Sequence, residues 1–190
     1  MKSGFSSLLI KEERVVAELS LLGIKYLSRL NNEHIEDLRE GWILLADLVR
    51  QPSSRVRTAA IALLLEHPEF SNQIPKAISR LRSKNRITLK LFYTASVILQ
   101  QIYAKQFQKS QGLNFILLPD LFSIELGLSK NLPPKRMLEE LGIRHQDLTG
   151  IVVNWSGTYE NVALHLLRRR KLQSAHSDEI GHRFRLMSAG

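Results

Sequence analysis

Eighteen carboxylates and six histidines are the groups in this 190-residue chain able to bind a metal or move a proton. The histidines are His34, His67, His145, His165, His176 and His182. No two stand three or four apart, the helical spacing that turns two ring nitrogens toward one metal. There is no cysteine, which removes a disulfide framework, a thiolate zinc site and a cysteine nucleophile together. No Gly-x-Gly-x-x-Gly, no phosphate loop ending in Gly-Lys-Ser/Thr and no His-Glu-x-x-His occurs. Glu139 and Glu140 are adjacent, about 100° apart on a helix, and so do not converge on one bond. Glu36, Asp37 and Glu40 read as a solvated face opposite Trp42. Asp47 stands among apolar residues, one turn before Arg50 and ten residues before Arg57. Its expected role is a structural ion pair or a solvent position, the alternative being an acid that activates water. The expectation is a non-enzymatic chain with no catalytic residue, metal or cofactor.

The basic residues are more informative. Lys76, Arg80, Arg82, Lys84, Arg86 and Lys90 occur with no acid between them. Lys76 and Arg80 share a helix face, while Arg82, Lys84 and Arg86 bracket an expected turn. Such an edge meets several phosphates, each contact adding salt-dependent affinity; the alternative is a solvated rim. Arg168, Arg169, Arg170 and Lys171 close the last expected helix, where cations also complement the helix dipole. These ten residues are the candidate polyanion-binding set. Aromatic residues are not interleaved with them, so base stacking is not supported. The net charge of +9 is uneven: residues 41–107 carry +7 and residues 161–190 carry +4, with −1 in each remaining segment. Such a field attracts nucleic acid, acidic membranes or an acidic protein without choosing among them.

Helices must position these groups. Val15, Leu19, Leu22 and Tyr26 step by four, three and four, predicting a helix within Ser7–Leu30, with Asn31-Asn32 as a break and Asn32 as a cap. Ile35, Leu38, Trp42, Leu45 and Val49 predict a second. After Gln51-Pro52-Ser53-Ser54, Val56, Ala60, Leu63 and Leu64 line a third, ending at His67-Pro68. A fourth, capped by Ser71 or Asn72 with Pro75 in its first turn, points Ile74, Ile78 and Leu81 inward. Ser83-Lys84-Asn85 is read as a turn. A fifth has Ile87, Leu91, Ala95, Ile98 and Ile102 inward, and Lys90, Thr94, Gln101 and Lys105 opposite. Lys109–Gly112 reads as a linker and Pro119 as opening a short helix ending at Gly127. Pro133-Pro134 start another that buries Met137, Leu138 and Leu141 and stops at Gly142. Ile151–Val153 is extended. Thr158 caps a last helix to about Leu172, with Tyr159, Val162, Ala163 and Leu166 inward, and residues 173–190 form a flexible tail.

Two helix-turn-helix units, Ile43–Leu65 and Ile74–Val97, follow one another at a spacing near 31 residues. Setting Ile43 on Ile74 places Ala46 on Ala77, Arg55 on Arg86 and Val56 on Ile87. Leu45–Arg50, the Pro-Ser-Ser turn and Arg55–Leu63, with Val56-Arg57 and Ala59-Ala60, resemble one HEAT repeat, in which small residues let helix pairs stack closely. Two departures stand beside the match: Ser53 and Ser54 occupy the place of the usual aspartate, and Ile87-Thr88 replaces Val-Arg in the second unit. The resemblance implies an all-α, HEAT-like stack of antiparallel helix pairs over residues 1–107, with a smaller, looser helical region at 113–172. It further implies an adaptor or regulatory subunit that binds another macromolecule, a protein partner first. A nucleic-acid-binding protein is the alternative. A HEAT-like DNA glycosylase, with Asp47 as its acid, comes third; Trp42 and Trp155, the aromatic walls it would need, are far apart in sequence.

Met1–Ile10 lacks the long apolar stretch of a secretory signal. The longest wholly apolar run, Ala59–Leu65, is too short for a bilayer that needs about 20 residues. Cytoplasmic placement without membrane insertion is the expectation.

Overall fold

The structure, a computed structural model, describes residues 12–25, 27, 35, 37–112, 115–129 and 131–172. The sequence readings at Ser7–Lys11, Tyr26, Leu30–Asn32 and the tail from Gln173 lie outside these. The described residues are helical, with no strand. The helices are α1 (Glu12–Leu21), α2 (Gly41–Arg50), α3 (Ser54–Arg57), α4 (Ala59–Glu66), α5 (Ile74–Ser79), α6 (Ser83–Ile102), α7 (Ala104–Gln111) and α8 (Pro134–Thr149). A 3-10 stretch, Pro68–Gln73, leads into α5, and a π-helical turn, Ser156–Glu160, leads into a final helix, α9 (161–172).

α4 is the centre. Its sequence is apolar all round, so no face suits water, and every residue from Ala59 to Leu65 is at most 1% exposed. α2, α3, α6 and the Pro68–Gln73 stretch pack around it. It ends where proline forbids continuation, at His67-Pro68.

α6 and α8 form the most extensive helix pairing, and one apolar core joins α1 to α9. The C-terminal helices therefore sit on the N-terminal ones. This corrects the amphipathic reading of α6 at one position, while Gln101 and Lys105 are exposed as expected. Thr94, placed on its polar face, is fully buried, as is everything from Leu91 to Gln100. The polar side chains are satisfied in place. Thr94 Oγ1 donates to the Lys90 carbonyl (2.9 Å) and Ser96 Oγ to that of Phe92 (2.9 Å). Gln100 donates to the Ile116 carbonyl (2.7 Å) and accepts from the Leu118 amide (2.8 Å).

Several boundaries differ from the sequence reading, each for a local reason. α1 stops at Leu21 because Gly23, at φ 82°, turns the chain. Ile24 N–H then reaches the Leu19 carbonyl (2.8 Å) and Gly23 N–H that of Ser20 (3.1 Å). α2 begins only at Gly41, so Leu38 is 46% exposed rather than inward. Ser83-Lys84-Asn85 is the first turn of α6, and Lys109–Gln111 closes α7, with Gly112 (φ 57°) beyond it. Pro119–Gly127 forms turns, not a helix. α8 runs through Gly142 to Gly150, whose φ of 71° ends it. Gly142 lies inside the helix, with Trp155 and the Val153 carbonyl packed beside it.

The segment before α2 is pinned by charge. Arg39 donates through Nε and Nη2 to the fully buried Glu18 (both 2.6 Å) and through Nη1 to Asp47 (2.7 Å).

Candidate functional site

Of the two roles expected for Asp47, an ion pair or a solvent position, the structure shows the buried ion pair. One carboxylate oxygen accepts from Arg39 and the other from Arg50 Nη1 (3.0 Å). Both oxygens thus face a guanidinium, as befits a buried carboxylate. Arg57 does not join them: its Nη1 donates to the carbonyls of Gln51 (2.8 Å) and Pro52 (2.7 Å), fastening the turn between α2 and α3. Among the described residues no group of three carboxylates or histidines is arranged to hold a metal.

The ten candidate polyanion-binding residues divide by what holds them. Lys76 pairs with Glu40 (2.6 Å) and stands 4.6 Å above the Trp42 ring centroid, with the Arg80 guanidinium 5.8 Å from the same ring. The Lys76 hydrogen bond, with that of the Trp42 indole, holds the Glu40 carboxyl below its usual range. Lys90 pairs with Glu125 and lies 5.3 Å over the Phe122 ring. Arg86 caps the Leu81 carbonyl (3.1 Å). Arg170 grips Glu66 and Arg169 donates to the Gly23 carbonyl, tying α9 to the ends of α4 and α1. Lys171 and Arg168 are exposed at the same end. Arg82 and Lys84 project from the start of α6. The two basic clusters therefore do not merge.

The geometry instead gathers a different set. A cavity of about 780 Å³ opens where the N-terminal helices meet the C-terminal ones. Arg50, Arg55, Arg57 and Thr58 come to it from the α2–α3 corner; Lys84, Asn85, Thr88 and Phe92 come from α6. His145 of α8, Ile151–Val153, and Thr158, Asn161, Val162 and His165 around the start of α9 complete the wall. Four cations and two histidines line it and no carboxylate does. Of these, the sequence reading had singled out only Lys84 as a candidate. The available signal was Arg50, Arg55 and Arg57 standing in eight residues without an acid between them.

His145 is 5% exposed. Its Nδ1 is hydrogen-bonded to the Tyr159 hydroxyl (2.5 Å), and the two rings stack with centroids 6.2 Å apart. Burial, then the nearby Arg57 charge, pushes the imidazole down to about 4. Burial likewise pushes the Tyr159 phenol upward, so Tyr159 keeps its proton and His145 is neutral at pH 7.

What the fold and cavity define is a class: an all-helical protein with a closed apolar core and a basic cleft between its two halves. No family model matches the sequence, and comparison with curated proteins and with solved structures finds no match either. No helix among the described residues is long and apolar enough to cross a membrane.

Proposed function

We propose that this chain is a non-enzymatic adaptor or regulatory subunit, built on a HEAT-like stack, that docks another protein. The stack reading is supported by the pairing of α2 with α5 and of α4 with α6, the like members of two successive units. Bonds at the repeat spacing support it too: Trp42 N–H donates to Gln73 Oε1 (2.8 Å), 31 residues on, and Arg50 Nη2 to the Arg80 carbonyl (2.8 Å), 30 on.

The observation that carries the docking is the loop before α8. Leu118, Ser123, Leu126 and Leu128 anchor it inward, while Ile116, Leu117, Leu121 and Ile124 are 53, 64, 42 and 72% exposed. It is held, not loose: Tyr93 donates to the Pro119 carbonyl (2.8 Å) and Gln100 bonds at both Ile116 and Leu118. A rigid, outward apolar patch is a preorganised docking surface. The loop carries Asp120 and Glu125 and no basic residue, so its apolar side chains, not the net charge of the chain, would select the partner.

Affinity purification from the native cell, with and without nuclease, tests this. The expected result is a protein partner that survives nuclease and is lost when Leu117→Asp and Ile124→Asp are combined. A partner retained by that variant, or one removed by nuclease, refutes the reading, as does self-association of the purified chain abolished by the same substitutions.

The exposed Arg82 and Lys84 favour a second reading, nucleic-acid binding. Replacing Arg80, Arg82, Lys84 and Arg86 by glutamine then lowers duplex affinity for any sequence and reduces the salt slope by about 3–4. Absence of duplex binding by the natural chain at ~50 mM salt, where attraction is strong, removes this reading.

A further inference from the structure

We propose that the cleft between the α2–α3 corner, α6 and α8–α9 binds a small phosphorylated ligand, one or two phosphoryl groups carried on an apolar body. This site is separate from the docking loop and does not rest on the adaptor reading.

Charge is the first argument. Arg50, Arg55, Arg57 and Lys84 line the cleft and every carboxylate is kept out of its wall. Low-dielectric walls focus such a field on whatever enters. Order is the second. Arg57 is fastened by two carbonyls and Arg50 by Asp47 and the Arg80 carbonyl. Each guanidinium is therefore fixed through part of its donor set, with the remaining N–H groups left for an anion. Lys84 supplies an exposed ammonium, which forms no ion pair among the described residues.

His145 is the third. It is 95% buried on the cleft wall, and its Nε2 has no hydrogen-bond partner among the described residues. With Nδ1 accepting the Tyr159 proton, Nε2 carries the imidazole hydrogen and is a neutral donor beside Arg57. Size and lining complete the case. About 780 Å³ falls in the range of small-molecule sites, roughly 300–1,000 Å³. Val49, Phe92, Val153 and Val162 give apolar wall beside the hydroxyls of Thr58 and Thr88. A site for inorganic phosphate alone needs no such wall.

Isothermal titration of the full chain with inorganic pyrophosphate, ADP and adenosine tests the proposal. Pyrophosphate is expected to bind with a Kd below ~1 mM, ADP to bind about 10-fold tighter, and adenosine to bind far more weakly than either. Arg57→Gln and Lys84→Gln are each expected to weaken ADP at least ~10-fold, and Lys109→Gln, exposed on α7 and outside the cleft wall, to leave it unchanged. Lys84 is exposed and supports no neighbour through its ammonium, so Lys84→Gln decides the matter if Arg57→Gln does not fold. No binding of either phosphate compound overturns the proposal. So does equal weakening by Lys109→Gln, which would mark diffuse charge, or displacement of ADP by a DNA duplex, which would give the cleft to nucleic acid.

Discussion

Arg39→Met is the sharpest perturbation of this fold. The natural guanidinium makes three charge-assisted bonds, two at 2.6 Å to Glu18 and one at 2.7 Å to Asp47. Asp47 keeps Arg50 at 3.0 Å after the change. Glu18, fully buried, keeps only Arg14 among the described residues, at 3.9 Å. A buried carboxylate left nearly alone is the costly half of a broken pair, about 3–5 kcal/mol. That is a third or more of an ordinary domain's stability. With a urea slope of roughly 2 kcal/mol per molar, the midpoint falls by about 2 M. The assay is urea unfolding at pH 7 followed by helical circular dichroism. Adding Glu18→Leu to Arg39→Met removes the uncompensated charge and is expected to restore at least half of the loss. Arg136→Met, which breaks the exposed pair with Glu139, is expected to leave the midpoint where it was. An Arg39→Met midpoint indistinguishable from that of Arg136→Met, or no recovery in the double variant, refutes the reasoning.

Ala60 is fully buried at the centre of α4, and Ala60→Leu is expected to overpack it by about 1–3 kcal/mol; an unchanged thermal midpoint contradicts this. His145 sits near 4 in the folded chain against about 6.5 when unfolded. The unfolded chain thus binds the extra proton in that window, so its contribution is full above about 6.5 and lost as pH falls toward 4, by roughly 3 kcal/mol. His145→Gln should flatten that limb of the urea midpoint plotted against pH; an equally steep limb in the variant rules it out. Gly150 holds φ 71° at the end of α8, so Gly150→Ala should cost about 1–2 kcal/mol by the same urea assay, and no cost would mean the turn relaxes freely.

Signals confined to a few residues were legible in the sequence. Pro68 ended α4 where expected, Pro134 opened α8, and Tyr159, Val162, Ala163 and Leu166 faced inward as their spacing required. The ion pair of Asp47 was one of the two roles read from its apolar neighbours and nearby arginines, although Arg39, the stronger partner, drew no notice. What failed depended on distant chain. Thr94 looks like a solvent residue until the rest of the chain covers it, and a hydroxyl that bonds its own helix carbonyl leaves no trace in composition. The cleft was illegible for the same reason. Its cations come from residues 50–57 and 84, and its histidines from 145 and 165, and no local rule brings those together.

The burial of α4 on every side also sets how the molecule opens. The amide protons of Ala62 to Leu65 lie in a stretch where every residue is at most 1% exposed, so they exchange with deuterium only when the core comes apart. α7 has one buried residue, Phe107, and its amides exchange through openings that leave that core intact. Deuterium labelling would therefore separate the chain into a frame that yields last and a fringe that breathes, with the boundary near Tyr103, where α6 gives way to α7.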